Sequence, residues 1–270
     1  MGQGIAIALL AAGRPVTLLA RTPRPVLPPL TLHAGAWEAA TRDAGIILVA
    51  TPDDAIEAAA GSLLDRGAVH GGHAVLHLSG LLDRRALAPL ERTGAALGSF
   101  HPLQTVADPR TAPERLKGAW AGIEGDLRAR HAGEELAEWL AMQTVRLEAA
   151  SKPLYHAAAT IVANYTVALA GVAERLARAA GVPEELAGRI YLPLLAGAAE
   201  NLRSSSAATA LTGPLRRGDV ETVRRHLASL PPDVVPLYRL LGLEALVLAR
   251  SEGLDPAAAE VIQRLLESGP

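Results

Sequence analysis

Lys152 and His156 stand four residues apart in Ser151-Lys152-Pro153-Leu154-Tyr155-His156, so a helix would present both on one face. Asn164 follows two turns later in an otherwise apolar stretch. The chain holds 24 Arg but only two Lys, Lys117 and Lys152, so a Lys at this place suggests that a compact, titratable ammonium is wanted. An ammonium or an imidazole can polarise a carbonyl oxygen and hand it a proton as hydride reaches the carbon, and Lys152 or His156 could fill that role, with Asn164 fixing orientation. Two further segments, His77-Leu78-Ser79-Gly80 and Ser99-Phe100-His101-Pro102-Leu103-Gln104-Thr105, each bring His and Ser to a strand end. Ser79, His101 and Gln104 are therefore candidates to line a substrate pocket. Leu211-Thr212-Gly213-Pro214-Leu215-Arg216-Arg217-Gly218-Asp219 reads as a polar turn in which Asp219 caps a helix from Val220. Arg216 or Arg217 could reach a carboxylate there, and Arg217 is the candidate carried forward. His70-Gly71-Gly72-His73 has no third ligand at metal spacing and reads as a turn, so no metal site is expected.

A second set of residues points to a dinucleotide. Such a site starts as strand, Gly-x-Gly-x-x-Gly, helix. Here Met1-Gly2-Gln3-Gly4 runs directly into a helix, and Gly2 stands where the third glycine belongs. The first strand and two glycines are expected to be missing through a start placed too far downstream; the strand would be central, so its loss should weaken both stability and pyrophosphate contacts. After the next strand the chain reads Ala20-Arg21-Thr22, with no acidic residue for a ribose hydroxyl. The guanidinium fork of Arg21 and the hydroxyl of Thr22 suit a 2′-phosphate, which favours NADP(H) over NAD(H). The turn Ala50-Thr51-Pro52 should lie over the ribose and nicotinamide, while Asp53 or Asp54 reads as a helix cap.

Short β-branched runs alternate with Ala/Leu-rich stretches as far as residue 150. The strands expected are Pro15–Leu19, Leu30–His33, Ile46–Ala50, Val75–Leu78, Ala96–Phe100, Ala119–Ile123 and Val145–Leu147; the helices are Gly2–Ala12, Trp37–Asp43, Asp53–Asp65, Asp83–Thr93 and Arg128–Met142. That alternation means a doubly wound, largely parallel α/β sheet, with ligands beyond the carboxyl ends of the strands. From Ser151 onward only helices are expected: Pro153–Ala180, Pro183–Arg203, Val220–Leu230, Val234–Glu252 and Pro256–Leu266. Two domains follow, a dinucleotide-binding one over 1–150 and an all-helical substrate or dimerisation domain over 151–270.

Composition narrows the partners. Half of the 270 residues are apolar, the net charge is −2 and aromatics are 3%, so neither a disordered tail nor a nucleic-acid surface is expected. Cysteine is absent, which fits a reducing, cytoplasmic address. The apolar run Ile5–Ala12 is too short to span a bilayer and no basic residue precedes it, so no membrane partner is expected.

The order of His77-Leu78-Ser79-Gly80, Gly98-Ser99-Phe100-His101-Pro102-Leu103-Gln104-Thr105, Lys152-Pro153-Leu154-Tyr155-His156 with Asn164, and Leu211 to Asp219 resembles the Rossmann-like proteins with a DUF2520 C-terminal domain. More distantly the chain is similar to prephenate dehydrogenases and to 6-phosphogluconate dehydrogenase-like reductases. The resemblance implies NAD(P)-dependent reduction of a small 2-keto acid, ketopantoate among the candidates, by a homodimer. The alternatives are a nucleotide-binding or sensing protein without turnover, favoured by the cut glycine fingerprint, and a prephenate dehydrogenase-like enzyme.

Overall fold

The structure is a computed structural model that describes residues 1–23, 25–35 and 37–268. The chain forms two compact units, Met1–Tyr165 and the residues from Thr166 onward. The division falls inside a long helical run and not ahead of it, because the first turns of that run are tied into the sheet by Lys152 and Tyr155.

Among the described residues of the first unit seven strands form two sheets. A short parallel pair joins β1 (Leu18–Leu19) to β2 (Leu32–His33), and five strands, β3 (Ile46–Val49), β4 (Ala74–His77), β5 (Ala96–Leu103), β6 (Trp120–Gly125) and β7 (Gln143–Arg146), lie side by side in chain order. All pairs are parallel except β5 with β6. The first two strands are shorter than the sequence suggests. Pro15 has no N–H to donate to a ladder, and Leu30 follows Pro28-Pro29 and reaches back to the Leu27 carbonyl in a turn. β5 is longer, because its antiparallel partner keeps pairing as far as Leu103 opposite Trp120.

Helices α1 (Gly2–Ala11), α2 (Trp37–Thr41), α3 (Ile56–Asp65), α4 (Ala112–Leu116) and α5 (Leu127–Trp139) pack around the five-stranded sheet. The helix expected over Asp83–Thr93 is a run of 3-10 turns over Arg84–Thr93, capped by the Asp83 carboxylate on the Arg85 N–H; Pro89 removes a donor from its middle. Successive residues of β4 alternate between two cores. Ala74 and Leu76 join Ile5, Leu9, Phe100 and Leu136 in one, and Val75 joins Trp37, Ile56, Leu63 and Leu87 in the other.

The long run begins as α6 (Lys152–Thr160), passes through a π turn at Ile161–Tyr165 and continues as α7 (Thr166–Ala179). By length and composition the segment Ala149–Ala179 is apolar enough to cross a membrane, with mean hydropathy 1.3. The second unit continues with α8 (Glu184–Ala187), α9 (Leu192–Ser204), α10 (Ala207–Ala210), α11 (Pro214–Arg217), α12 (Val220–Ser229), α13 (Val235–Ser251) and α14 (Pro256–Glu267). The single helix expected over Pro183–Arg203 is split: α8 closes at Gly188, and α9 reopens with Pro193 in its first turn. Asp219 caps α12 as expected, accepting from the Thr222 N–H at 3.1 Å. Val223, Leu246, Ile262 and Leu266 form this unit's core.

Candidate functional site

Register aligns His77 of β4, Ser99 of β5 and Glu124 of β6 side by side across three strands. All three are buried. Lys152, from the first turn of α6, enters this row: its Nζ donates to Ser99 Oγ at 2.7 Å and to the Ser79 carbonyl at 3.1 Å. The side chain is 0% exposed, and burial pushes its pKa down to about 8 against the pull of Glu124. Burial pushes the Glu124 carboxyl upward, opposed chiefly by Lys152. Its Oε2 accepts from the Arg84 N–H at 3.0 Å and the Ser99 hydroxyl at 3.3 Å. The ammonium is thus held inside the protein by groups that fix one loop.

That loop is Leu78-Ser79-Gly80. The Ser79 hydroxyl donates to Asp53 Oδ2 at 2.8 Å and accepts from the N–H groups of Leu81 and Leu82. Asp53 is therefore not a helix cap: the 3-10 turn it opens is headed by Pro52, and its carboxylate turns to Ser79. His77 accepts from the Ser79 N–H on Nδ1 and lies 3.0 Å from the Asp83 carbonyl on Nε2, which fits a neutral ring protonated at Nε2. Burial drives its pKa down to about 4.

Two imidazoles close over Gly80. His101 and His156 lie edge to face with ring centroids 5.6 Å apart, and a Cβ at Gly80 would sit 2.5 Å from His156 Nδ1 and 2.7 Å from His101 Cε1. Only glycine lets both rings approach. Across the ladder from His101 stands Gly122, where a Cβ would meet the Tyr155 hydroxyl at 2.6 Å; that space admits the phenol, whose OH lies 3.1 Å from His101 Nδ1. Burial, then the neighbouring His156, pushes His101 down to about 4, and burial pushes Tyr155 up to about 12, so both are neutral near pH 7. His156 Nδ1 is buried and has no hydrogen-bond partner among the described residues.

Gly2, Arg21, Thr22, Ala50 and Thr51 all line one cavity of about 1300 Å³. Ala50 and Thr51 mark the carboxyl end of β3, and α1 begins there: a Cβ on Gly2 would fall 2.6 Å from that of Ala50. Free N–H groups at the start of this ten-residue helix, with Arg21 and Thr22 after β1, fit the phosphates of a nicotinamide dinucleotide. Pro52 follows Thr51 but is not in the lining. The Gln104 amide is used on the Arg115 carbonyl and the Thr105 N–H, Asn164 is exposed on the π turn, and Arg217 ends α11 in the second unit. His70–His73 is a turn closed by the His73 N–H on the His70 carbonyl, and the described residues contain no group of three metal-ligating side chains.

Sequence reasoning passed over Glu124, Asp53, Gly80 and Gly122 as site residues. For Glu124 one signal was available, a lone carboxylate at the end of an Ala-Gly-Ile strand.

The fold defines the class: a Rossmann-like unit followed by helices. The family described as a domain of unknown function, DUF2520, matches residues 119–245, from the start of β6 into α13, and the chain is similar to it over that stretch. No curated protein matches. Among solved structures, protein TM1727 from Thermotoga maritima is similar at 28% identity, covering 76% of this chain and 78% of that one with a TM-score of 0.62. Protein BF3122 from Bacteroides fragilis shares 21% identity over 91% of this chain and 93% of its own, with a TM-score of 0.64. Pyrroline carboxylate reductase from Plasmodium falciparum, solved with NADP bound, shares the fold at 12% identity, 99% and 95% coverage and a TM-score of 0.58.

Proposed function

We propose that the protein is a cytoplasmic NADPH-dependent reductase of a small 2-keto acid, with ketopantoate as the first substrate to try. One observation carries this reading: His156 stands edge to face with the neutral His101 over a glycine that permits no side chain. Similarity to a reductase solved with NADP bound supports the choice of cofactor.

When bound, the nicotinamide supplies the hydride. Gly2 and the first turn of α1 take the pyrophosphate, Arg21 and Thr22 the 2′-phosphate, and Ala50-Thr51-Pro52 flank the ribose and nicotinamide. His156 holds the substrate's carbonyl oxygen and delivers its proton, while Tyr155 keeps His101 in place beside it. Lys152 acts through others. Its ammonium grips the Ser79 carbonyl and so holds Gly80 beneath the two rings, which makes it a positioning residue. Arg217 is the proposed cation for the substrate carboxylate and Asn164 a proposed orienting group.

Cofactor titration tests the reading. NADPH should bind more tightly than NADH, and Arg21→Ala should erase about tenfold of that preference, the worth of one charge-assisted hydrogen bond. Tighter binding of NADH, or no binding of either, would overturn it.

A further inference from the structure

We propose that Asp53 is a positioning residue of the reductase: its carboxylate ties the turn that flanks the nicotinamide to the loop beneath the two imidazoles, so that cofactor occupancy sets how firmly that loop is held. The proposal rests on the reductase reading for the identity of the cofactor, and its first measurement is made without one.

The tie begins where the sheet lets go. Pairing of β3 with β4 ends at Val49 opposite His77, and the Leu78 N–H gives the last bond of that ladder to the Val49 carbonyl at 3.2 Å. Beyond it the two chains part, β3 into Ala50-Thr51-Pro52-Asp53 and β4 into Leu78-Ser79-Gly80. Among the described residues one side-chain bond spans the gap: the Ser79 hydroxyl donates to Asp53 Oδ2 at 2.8 Å, across 26 positions of sequence.

The chemistry of a hydroxyl makes that bond obligatory. Serine carries one donor and two acceptor lone pairs. At Ser79 the N–H groups of Leu81 and Leu82 occupy the acceptor side at 3.1 and 3.0 Å, which leaves the proton one direction, toward Asp53. A carboxylate only accepts, so the bond is charge-assisted. Asp53 has no competing duty: the 3-10 turn it opens is headed by Pro52, and its side chain bonds no other described residue.

Both ends of the tie reach the site. Toward the cofactor, Ala50 and Thr51 line the cavity. Pro52 links Thr51 to Asp53 with its φ of −54° held by the ring, so a shift of Thr51 passes on with one dihedral fewer to absorb it. Toward the imidazoles, Ser79 is gripped a second time, by the Lys152 ammonium on its carbonyl. The next residue is Gly80, against which His101 and His156 pack. The charge of Asp53 is felt there too: burial lowers the pKa values of His77, His101 and Lys152, and Asp53 pulls each of them back upward. Ordering of the turn by bound cofactor therefore takes slack out of Asp53, Ser79 and Gly80 in succession, and such coupling is reciprocal.

Amide exchange tests the tie. The N–H groups of Leu81 and Leu82 rest on the Ser79 hydroxyl, whereas the Leu97 N–H, held by Asp126, reports on the fold. Without cofactor, Asp53→Ala should speed the Leu81 and Leu82 amides about tenfold or more, the worth of a hydrogen bond to a charged group, and leave Leu97 unchanged. Asp53→Asn keeps an oxygen acceptor and should stay within about threefold of the parent. Saturating NADPH should slow the two amides at least about fivefold in the parent and in Asp53→Asn, and not in Asp53→Ala. The single-turnover rate constant, which does not depend on the folded fraction, should fall about tenfold in Asp53→Ala and recover in Asp53→Asn. Equal exchange in parent and Asp53→Ala, equal acceleration of Leu97, an Asp53→Asn protein that behaves as Asp53→Ala, or NADPH protection that is absent from the parent or survives in Asp53→Ala would overturn the proposal. A parent whose amides NADPH protects through Asp53, but which oxidises no NADPH with any small 2-keto acid, would upset the reductase reading and leave the tie standing.

Discussion

A neutral imidazole can donate or accept, and Gly80, Gly122 and Tyr155 hold the neutral His101 close against His156. Gly80→Ala should push His156 and His101 apart. A displacement near 1 Å is enough for about a hundredfold loss in kcat, with the fold retained by circular dichroism. His101 also predicts acid sensitivity. Its folded pKa of about 4 lies below the ordinary histidine value of 6.5, so as pH falls the unfolded chain takes up the proton first. Stability is full above pH 6.5 and declines toward pH 4. The share from His101 is at most about 3 kcal/mol. Urea midpoints should show His101→Gln losing less stability than the parent over this window. Residue-scale chemistry was only partly readable in the sequence. Segments carrying His77, His101 and His156 stood out by type, whereas Asp53 looked like a cap because Asp at a strand-to-helix turn usually is one, and its turn to Ser79 depends on a partner 26 residues away.

At the scale of elements, α6 is pinned to the sheet by a buried ammonium. The Lys152 pKa of about 8 lies below the ordinary lysine value of 10.5, so between these values the unfolded chain holds a proton that the folded one has lost. Stability should therefore rise with pH over that window, by at most about 3 kcal/mol, and Lys152→Met should flatten the rise. Tyr155 opposes it only above pH 10, where the unfolded phenol ionises first. Glu124→Ala strands the ammonium and should cost about 3 kcal/mol by denaturant unfolding. Glu124→Gln removes the charge that raises the Lys152 pKa, so the rise should begin at a lower pH. The alternation of strands and helices was legible because period and punctuation are local. The antiparallel pairing of β5 with β6 was not, since it depends on the long connection between them, and it is this pairing that sets Glu124 opposite Ser99.

For the whole molecule, unpaired apolar surface is the feature most in need of cover. Leu154 and Ile161 are exposed in the first unit, and Val167, Leu192, Leu194 and Leu202 in the second. Exposed apolar patches of this kind mark association surfaces. A homodimer is the partner we propose, and light scattering coupled to gel filtration should give twice the 28.0 kDa chain mass in buffer without detergent; a monomer under those conditions would contradict it. Domain class was readable from the change of pattern near Ser151, but the division after Tyr165 was not, because it depends on where Lys152 and Tyr155 make their contacts. The most direct test of the reductase account is single-turnover loss of NADPH absorbance on mixing with ketopantoate, in the parent and in His156→Ala. The account predicts one equivalent of NADPH oxidised by the parent and a slowing of about 10²-fold or more in the variant, the usual worth of a positioned general acid. Equal rates in the two proteins, or no oxidation by the parent with any small 2-keto acid, would contradict it.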